Sequence, residues 1–211
     1  MKNFGTIFVS WVIILPFVLS VSCAKINQEE GAHELVAINS IGVLPTQPAS
    51  ITVEPSDTKT MEQLKAGAQT IDTLLVDYFR DHKYVQFISQ TELESLQALQ
   101  VGNPLYLARE AGRQLGYDAI MVTEVMRYQT RAGSAYAVES PASVAFSFKL
   151  LAVDSGRVIW SADFDQTQQP LFENILKSRT TGSGFRWLSA PELTQAGLTK
   201  KLNNCPYLQK N

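Results

Sequence analysis

The chain has 211 residues, enough for one ordinary domain plus a leader and too few for a multidomain enzyme. Hydrophobic residues make up 45% and charged residues 18%, a composition that supports a buried core without low-complexity or collagen-like bias. Eighteen Lys and Arg against twenty Asp and Glu give a net charge of -2, without the basic excess that phosphate-backbone binders need, so nucleic acid is not an expected partner. Two cysteines and two histidines are too few for a Cys/His zinc site or a disulfide framework, and neither metal nor cofactor is expected.

Residues 1–22 (MKNFGTIFVSWVIILPFVLSVS) carry one charge at Lys2, an apolar run from Phe4 to Val21, and small residues at Ser20 and Ser22. This is the layout of a secretory signal peptide. The run also reaches the lower limit for a membrane-spanning helix, although Ser10 and Pro16 interrupt it, so an uncleaved anchor stays open. Leu19-Ser20-Val21-Ser22-Cys23 resembles the lipobox of bacterial lipoproteins, where cleavage falls between Ser22 and Cys23 and the Cys23 thiol accepts a diacylglyceryl group. Leu19 stands one place further from the cysteine than usual, and Ser20-Val21-Ser22 would also suit the ordinary signal peptidase, which would leave Cys23 as a free thiol. Acylation with palmitate-type chains, at about 0.8 kcal/mol per buried methylene, would hold the protein to its membrane by Cys23.

Residues 23–34 read as the lipidated N-terminus and a polar tether; at about 3.6 Å per residue or less it reaches under roughly 40 Å. Any partner is therefore expected close to the same membrane. Ala24 replaces the aspartate that retains lipoproteins in the inner membrane of enteric bacteria, which points to the outer membrane with the domain facing the periplasm.

A single α/β domain is expected over 35–204, with 205–211 as a C-terminal tail. Leu35–Leu44 reads as a strand stopped by Pro45, and Pro45–Lys59 as a long connection. Met61, Leu64, Ala68, Ile71, Leu75, Tyr78 and Phe79 recur at steps of three and four, the mark of an amphipathic helix, with Thr60 and Gln63 as its capping box. Tyr84–Ile88 is a short strand, Ser89 and Glu92 a second capping box, and Asn103-Pro104 with Gly116 bracket a third helix. Asp118–Arg131, Ala142–Asp154 and Arg157–Thr167 are long strands, the last two joined by a turn at Asp154-Ser155-Gly156. Period-two alternation puts Val144, Phe146, Phe148 and Leu150 on one face. In the last strand it sets Trp160, Ala162 and Phe164 against Ser161, Asp163 and Asp165. A helix over Leu171–Lys177, a basic Gly-containing loop over Ser178–Trp187 and a capped helix from Ser189 to about Asn203 complete the chain. The fold class is thus α/β, a β-α-β-α-β-β-β single mixed sheet flanked by helices, with C-terminal helices after a signal peptide and short tether.

His33 and His82 stand apart from any nucleophile motif, so no Ser-His-Asp or Cys-His machine is expected and no catalytic residue is assigned. Asp163 and Asp165 have the spacing of paired carboxylates, and equally that of a solvated strand face. Arg179, Ser183 and Arg186 around Gly182 and Gly184 would suit an anion nest; Phe185, Arg186 and Trp187 would suit a protein contact or packing against the last helix. Cys205 has no partner cysteine once Cys23 is acylated, leaving a role-free thiol or an intermolecular disulfide.

The element order, with G-Y-D-A-I-M-V (Gly116–Val122) entering the third strand and D-S-G-R-V-I-W-S (Asp154–Ser161) at the last hairpin, resembles the periplasmic lipoproteins related to the curli secretion channel, the activators of peptidoglycan synthases and the N-terminal domain of the Tol translocation protein. The likeness spans Leu35–Phe164. It implies a non-enzymatic envelope protein with an assembly, scaffold or partner-activating role, through a protein partner or self-association; it carries over no catalytic residues. Gln129–Val144 is too short for the pore hairpin of the curli channel, and the tether is too short for the long linker of the synthase activators. The other reading is a periplasmic module that binds a small ligand or anion with the 179–187 loop.

Overall fold

Local signals set the helix boundaries, and long-range pairing sets the sheet. The computed structural model describes residues 36–49, 58–96, 103–133, 138–168 and 187–209. These residues belong to a folded unit assigned to Leu35–Asn211. In chain order the elements are β1 (Ile41–Val43), β2 (Gln47–Pro48), α1 (Thr58–Phe79), β3 (Val85–Phe87), α2 (Gln90–Ser95), α3 (Pro104–Leu115), β4 (Ala119–Gln129), β5 (Ala132–Gly133), β6 (Val138–Ser140), β7 (Ser143–Ala152), β8 (Val158–Thr167) and α4 (Ala190–Leu202).

The expected mixed sheet is present. Its strand order is β3-β1-β4-β7-β8, with β2 beside β4, and β5 and β6 form a separate two-stranded ribbon. β1 lies parallel to both β3 and β4, whereas β4–β7 and β7–β8 are antiparallel. β1 thus ends up between β3 and β4. The chain steps one way along the sheet over α1 and back over α3 on the other face, so both crossovers have the same hand.

One sheet face carries Ile41, Val43, Met121, Val125, Val144, Phe146, Phe148 and Leu150, all buried against Leu64, Ile71 and Leu75 of α1 and Leu193, Leu198 and Leu202 of α4. The four β7 residues assigned to one face from alternation are all fully buried. A smaller cluster on the opposite face sets Ile120, Val122, Leu151 and Val153 against Ala108 of α3. Helices on both faces of a sheet define the α/β class.

The capping boxes of α2 and α4 form as expected. Glu92 Oε2 accepts from the Ser89 amide at 2.7 Å while Ser89 Oγ accepts from the Glu92 amide at 3.2 Å, and Ser189 with Glu192 repeats the arrangement. Asn103 Oδ1 caps α3 through the Leu105 amide at 2.9 Å, and Gly116 closes it at φ 78°, a left-handed conformation that suits glycine.

Four expectations are corrected. The first strand shrinks from Leu35–Leu44 to Ile41–Val43, because the amides of Asn39 and Ser40 donate to the Asp118 carboxylate at 2.8 and 3.1 Å instead of joining a ladder. The connection after Pro45 contains β2, held by the Ala49 amide on the Val125 carbonyl at 2.9 Å. α1 starts at Thr58, so Thr60 lies inside the helix and not at its cap. Within the stretch read as a C-terminal tail, Cys205, Tyr207 and Leu208 are part of the main core, and Tyr84 donates its hydroxyl to the Leu208 carbonyl at 3.2 Å.

Cys205 is fully buried, which leaves an intermolecular disulfide no access in the folded state. Burial pushes its thiol pKa up, against the smaller lowering effect of bonds from the Tyr207 and Leu208 amides. Tyr78 and Tyr84 shift upward as well, first through burial and then through proximity to Cys205. A raised folded pKa contributes stability that is fully present below the unfolded pKa, about 8.5 for a thiol and about 10 for tyrosine, and is lost as pH rises through the folded values. Thermal unfolding followed from neutral pH upward should show stability falling above about pH 8.5. Cys205→Ala should flatten the first part of that fall; an unchanged profile would remove the thiol from the account.

Candidate functional site

Beyond the α3 cluster, the same sheet face becomes polar. Cross-strand register places its side chains in rows across β4, β7 and β8: Val122–Lys149–Ser161, Glu124–Ser147–Asp163, Arg127–Ala145–Asp165 and Gln129–Ser143–Thr167. Glu124 and Arg127 are three apart, which on a regular strand would send them to opposite faces. A register shift between Val125 and Arg127 restores Arg127 to the face of Glu124.

Two ion pairs bind the rows together. Lys149 Nζ lies 2.9 Å from Glu124 Oε2, both partly exposed. Arg127 spans the small Ala145 on β7 to reach Asp165 on β8, and its Nε donates to Ser143 Oγ at 2.6 Å. The Ser143 and Thr167 hydroxyls are also within hydrogen-bond distance of each other. Of the five charged side chains, Asp163 alone has no ion pair among the described residues, and it sits on β8. The unbalanced charge of this face is therefore negative and lies at its outer strand.

The paired-carboxylate pattern thus resolves into two different groups. Asp165 serves as the anchor for Arg127, and Asp163 is an exposed acid. His82 lies among aromatic rings, stacked on Tyr78 at 5.7 Å and edge-on to Phe79 at 5.4 Å. Among the described residues no group of three or more His, Cys, Asp or Glu has metal-binding geometry. What the described surface offers is a charged, hydrogen-bonded sheet face that ends in a strand edge.

Of the residues singled out from sequence, Ser22, Cys23, Arg179, Ser183, Phe185 and Arg186 lie outside the described residues, as does the expected helix over Leu171–Lys177. Trp187 is described: it is buried, and its carbonyl accepts from Arg131 Nη1 at 2.6 Å. Glu124, Arg127 and Lys149 were not singled out. The odd spacing of Glu124 and Arg127, the two charged residues of β4, was the available signal.

No protein-family model and no curated protein matches the chain. Solved structures similar to it include the PelC dodecamer from Paraburkholderia phytofirmans, at 17% identity over 84% of this chain and 92% of that one, with a TM-score of 0.47. The LpoB C-terminal domain from Escherichia coli matches at 13% identity over 63% of this chain and 86% of its own, with a TM-score of 0.38. Lipoprotein GNA1162 from Neisseria meningitidis matches at 16% identity, 68% and 93% coverage and a TM-score of 0.35. At these identities and TM-scores the likenesses supply no function for this chain.

Proposed function

We propose that this is a non-enzymatic envelope lipoprotein, acylated on Cys23 after cleavage behind Ser22, whose domain binds a protein partner or assembles close to the outer membrane on its periplasmic side. The observation that carries the reading is the order of the chain: an apolar leader, a cysteine in a lipobox-like setting, a tether of eleven residues, and a folded domain. The polar face of β4, β7 and β8 supports it, because two ion pairs tie its strands together and leave Asp163 as an exposed acid at the outer strand.

Palmitate labelling of cells that express the wild-type chain or Cys23→Ser, followed by membrane fractionation, tests the anchor. The wild type should incorporate label and sediment with the outer membrane, and Cys23→Ser should do neither. Label retained by Cys23→Ser would overturn acylation at this site. Crosslinking in intact cells should trap the wild type in an adduct of larger mass, and a chain that stays uncrosslinked would overturn partner binding and assembly together.

A further inference from the structure

β8 is the terminal strand of the sheet and spans ten residues, whereas the opposite edge, β3, spans three. No described strand covers its outer side. Which backbone groups face outward follows from the antiparallel pattern. The Gln168 amide donates inward to the Ala142 carbonyl at 3.0 Å, in register with the β7–β8 ladder. Hydrogen-bonded and non-bonded pairs alternate in such a ladder. Phe164, Ala162 and Trp160 therefore direct their backbone groups toward β7, and Ser161, Asp163, Asp165 and Thr167 direct theirs outward. These four also project their side chains onto the polar face.

An added antiparallel strand would form its bonded pairs opposite Ser161, Asp163, Asp165 and Thr167, with Cα atoms about 5.5 Å away and side chains on the same face. Its intervening residues would fall on the other face beside Trp160 and Ala162, both half-buried, and Phe164. The two faces thus ask for different chemistry in alternation. β8 holds two aspartates and no basic residue, and Asp163 has no ion pair among the described residues. A second copy of β8 would bring two more aspartates to this edge, so charge disfavours self-pairing.

We propose that the outer edge of β8 receives an extended segment of a partner protein in which basic residues alternate with apolar ones, a basic side chain lying beside Asp163, unpaired among the described residues, and the apolar ones beside Trp160 and Ala162. Backbone bonds at the outward amides supply affinity, and the alternation supplies register. The inference deepens the partner-binding reading above and rests on it.

The test uses the full chain in mild detergent and three synthetic peptides long enough to span Trp160–Thr167: alternating Lys and Val, alternating Glu and Val, and an isomer of the first with its lysines in one block. Fluorescence anisotropy gives affinity, and amide hydrogen exchange gives location. The Lys/Val peptide should bind tightest and slow exchange at Ser161, Asp163, Asp165 and Thr167. Cross-strand charge pairs stabilise weakly, so Asp163→Lys, which turns attraction into repulsion at an exposed position, should weaken Lys/Val binding about two- to thirtyfold. The same variant should strengthen binding of the Glu/Val peptide.

Equal binding of the blocked isomer, absence of protection at the four amides, or an unchanged preference in Asp163→Lys would each overturn the proposal. Protection of those amides that rises with protein concentration and without peptide would overturn it in favour of a second copy. Cellular adducts that map to another surface would sink the edge while leaving partner binding intact.

Discussion

Phe146→Ala should cost about 3–5 kcal/mol, a large share of the roughly 5–15 kcal/mol that holds a domain of this kind folded. Phe146 is fully buried on β7, between β4 and β8. Its ring stacks on Phe164 at 5.0 Å and meets Phe148 edge-on at 5.3 Å. Truncation removes both ring contacts and leaves a cavity beneath α1 and α4, where flanking backbone is fixed by ladders on both sides and cannot collapse inward. Chemical denaturation should show the midpoint falling with little change in slope. Phe87, 40% exposed on β3, serves as the contrast: its truncation should cost well under half as much. Equal losses at the two positions would mean that the core does not centre on β7.

How much of this was legible from the chain divides along locality. Ser89–Glu92, Ser189–Glu192 and Asn103-Pro104 announce helix starts because a cap needs only residues within one turn. The buried face of β7 was legible because alternation is also local. The polar site was not, since Arg127 meets Asp165 only after a register shift in β4 and a jump across β7, and strand order is a property of the assembled sheet. The same limit hid β2, which exists only because β4 offers it carbonyls, and the burial of Cys205, whose neighbours Tyr78 and Tyr84 lie more than a hundred residues earlier. Asp163 and Asp165 show the cost of reading spacing alone: two acids of identical pattern have different work, one closed in an ion pair and one open at an edge.

Gly197→Ala should destabilise the domain by about 1–3 kcal/mol, against the usual preference for alanine in a helix. Glycine inside α4 forgoes about 1 kcal/mol of helix propensity, and the structure shows what it makes room for. A methyl at that position would lie 2.7 Å from three atoms of the Phe164 ring, too close for carbon atoms. The ring cannot swing aside freely, because it is already stacked on Phe146. Either α4 lifts or β8 is displaced, and in both cases contact between the helix and the edge strand loosens. The double variant Gly197→Ala with Phe164→Leu should be less destabilised than the sum of the single changes, with a coupling of about 0.5–3 kcal/mol, since leucine vacates part of the contested space. Strict additivity in urea unfolding would mean that the two sites do not compete, whereas a stabilised Gly197→Ala would show that the helix tolerates the shift and that its propensity gain prevails. Because Phe164 sits between Asp163 and Asp165, the same substitution should also speed amide exchange along β8, linking the packing of one helix to the order of the edge a partner strand would join.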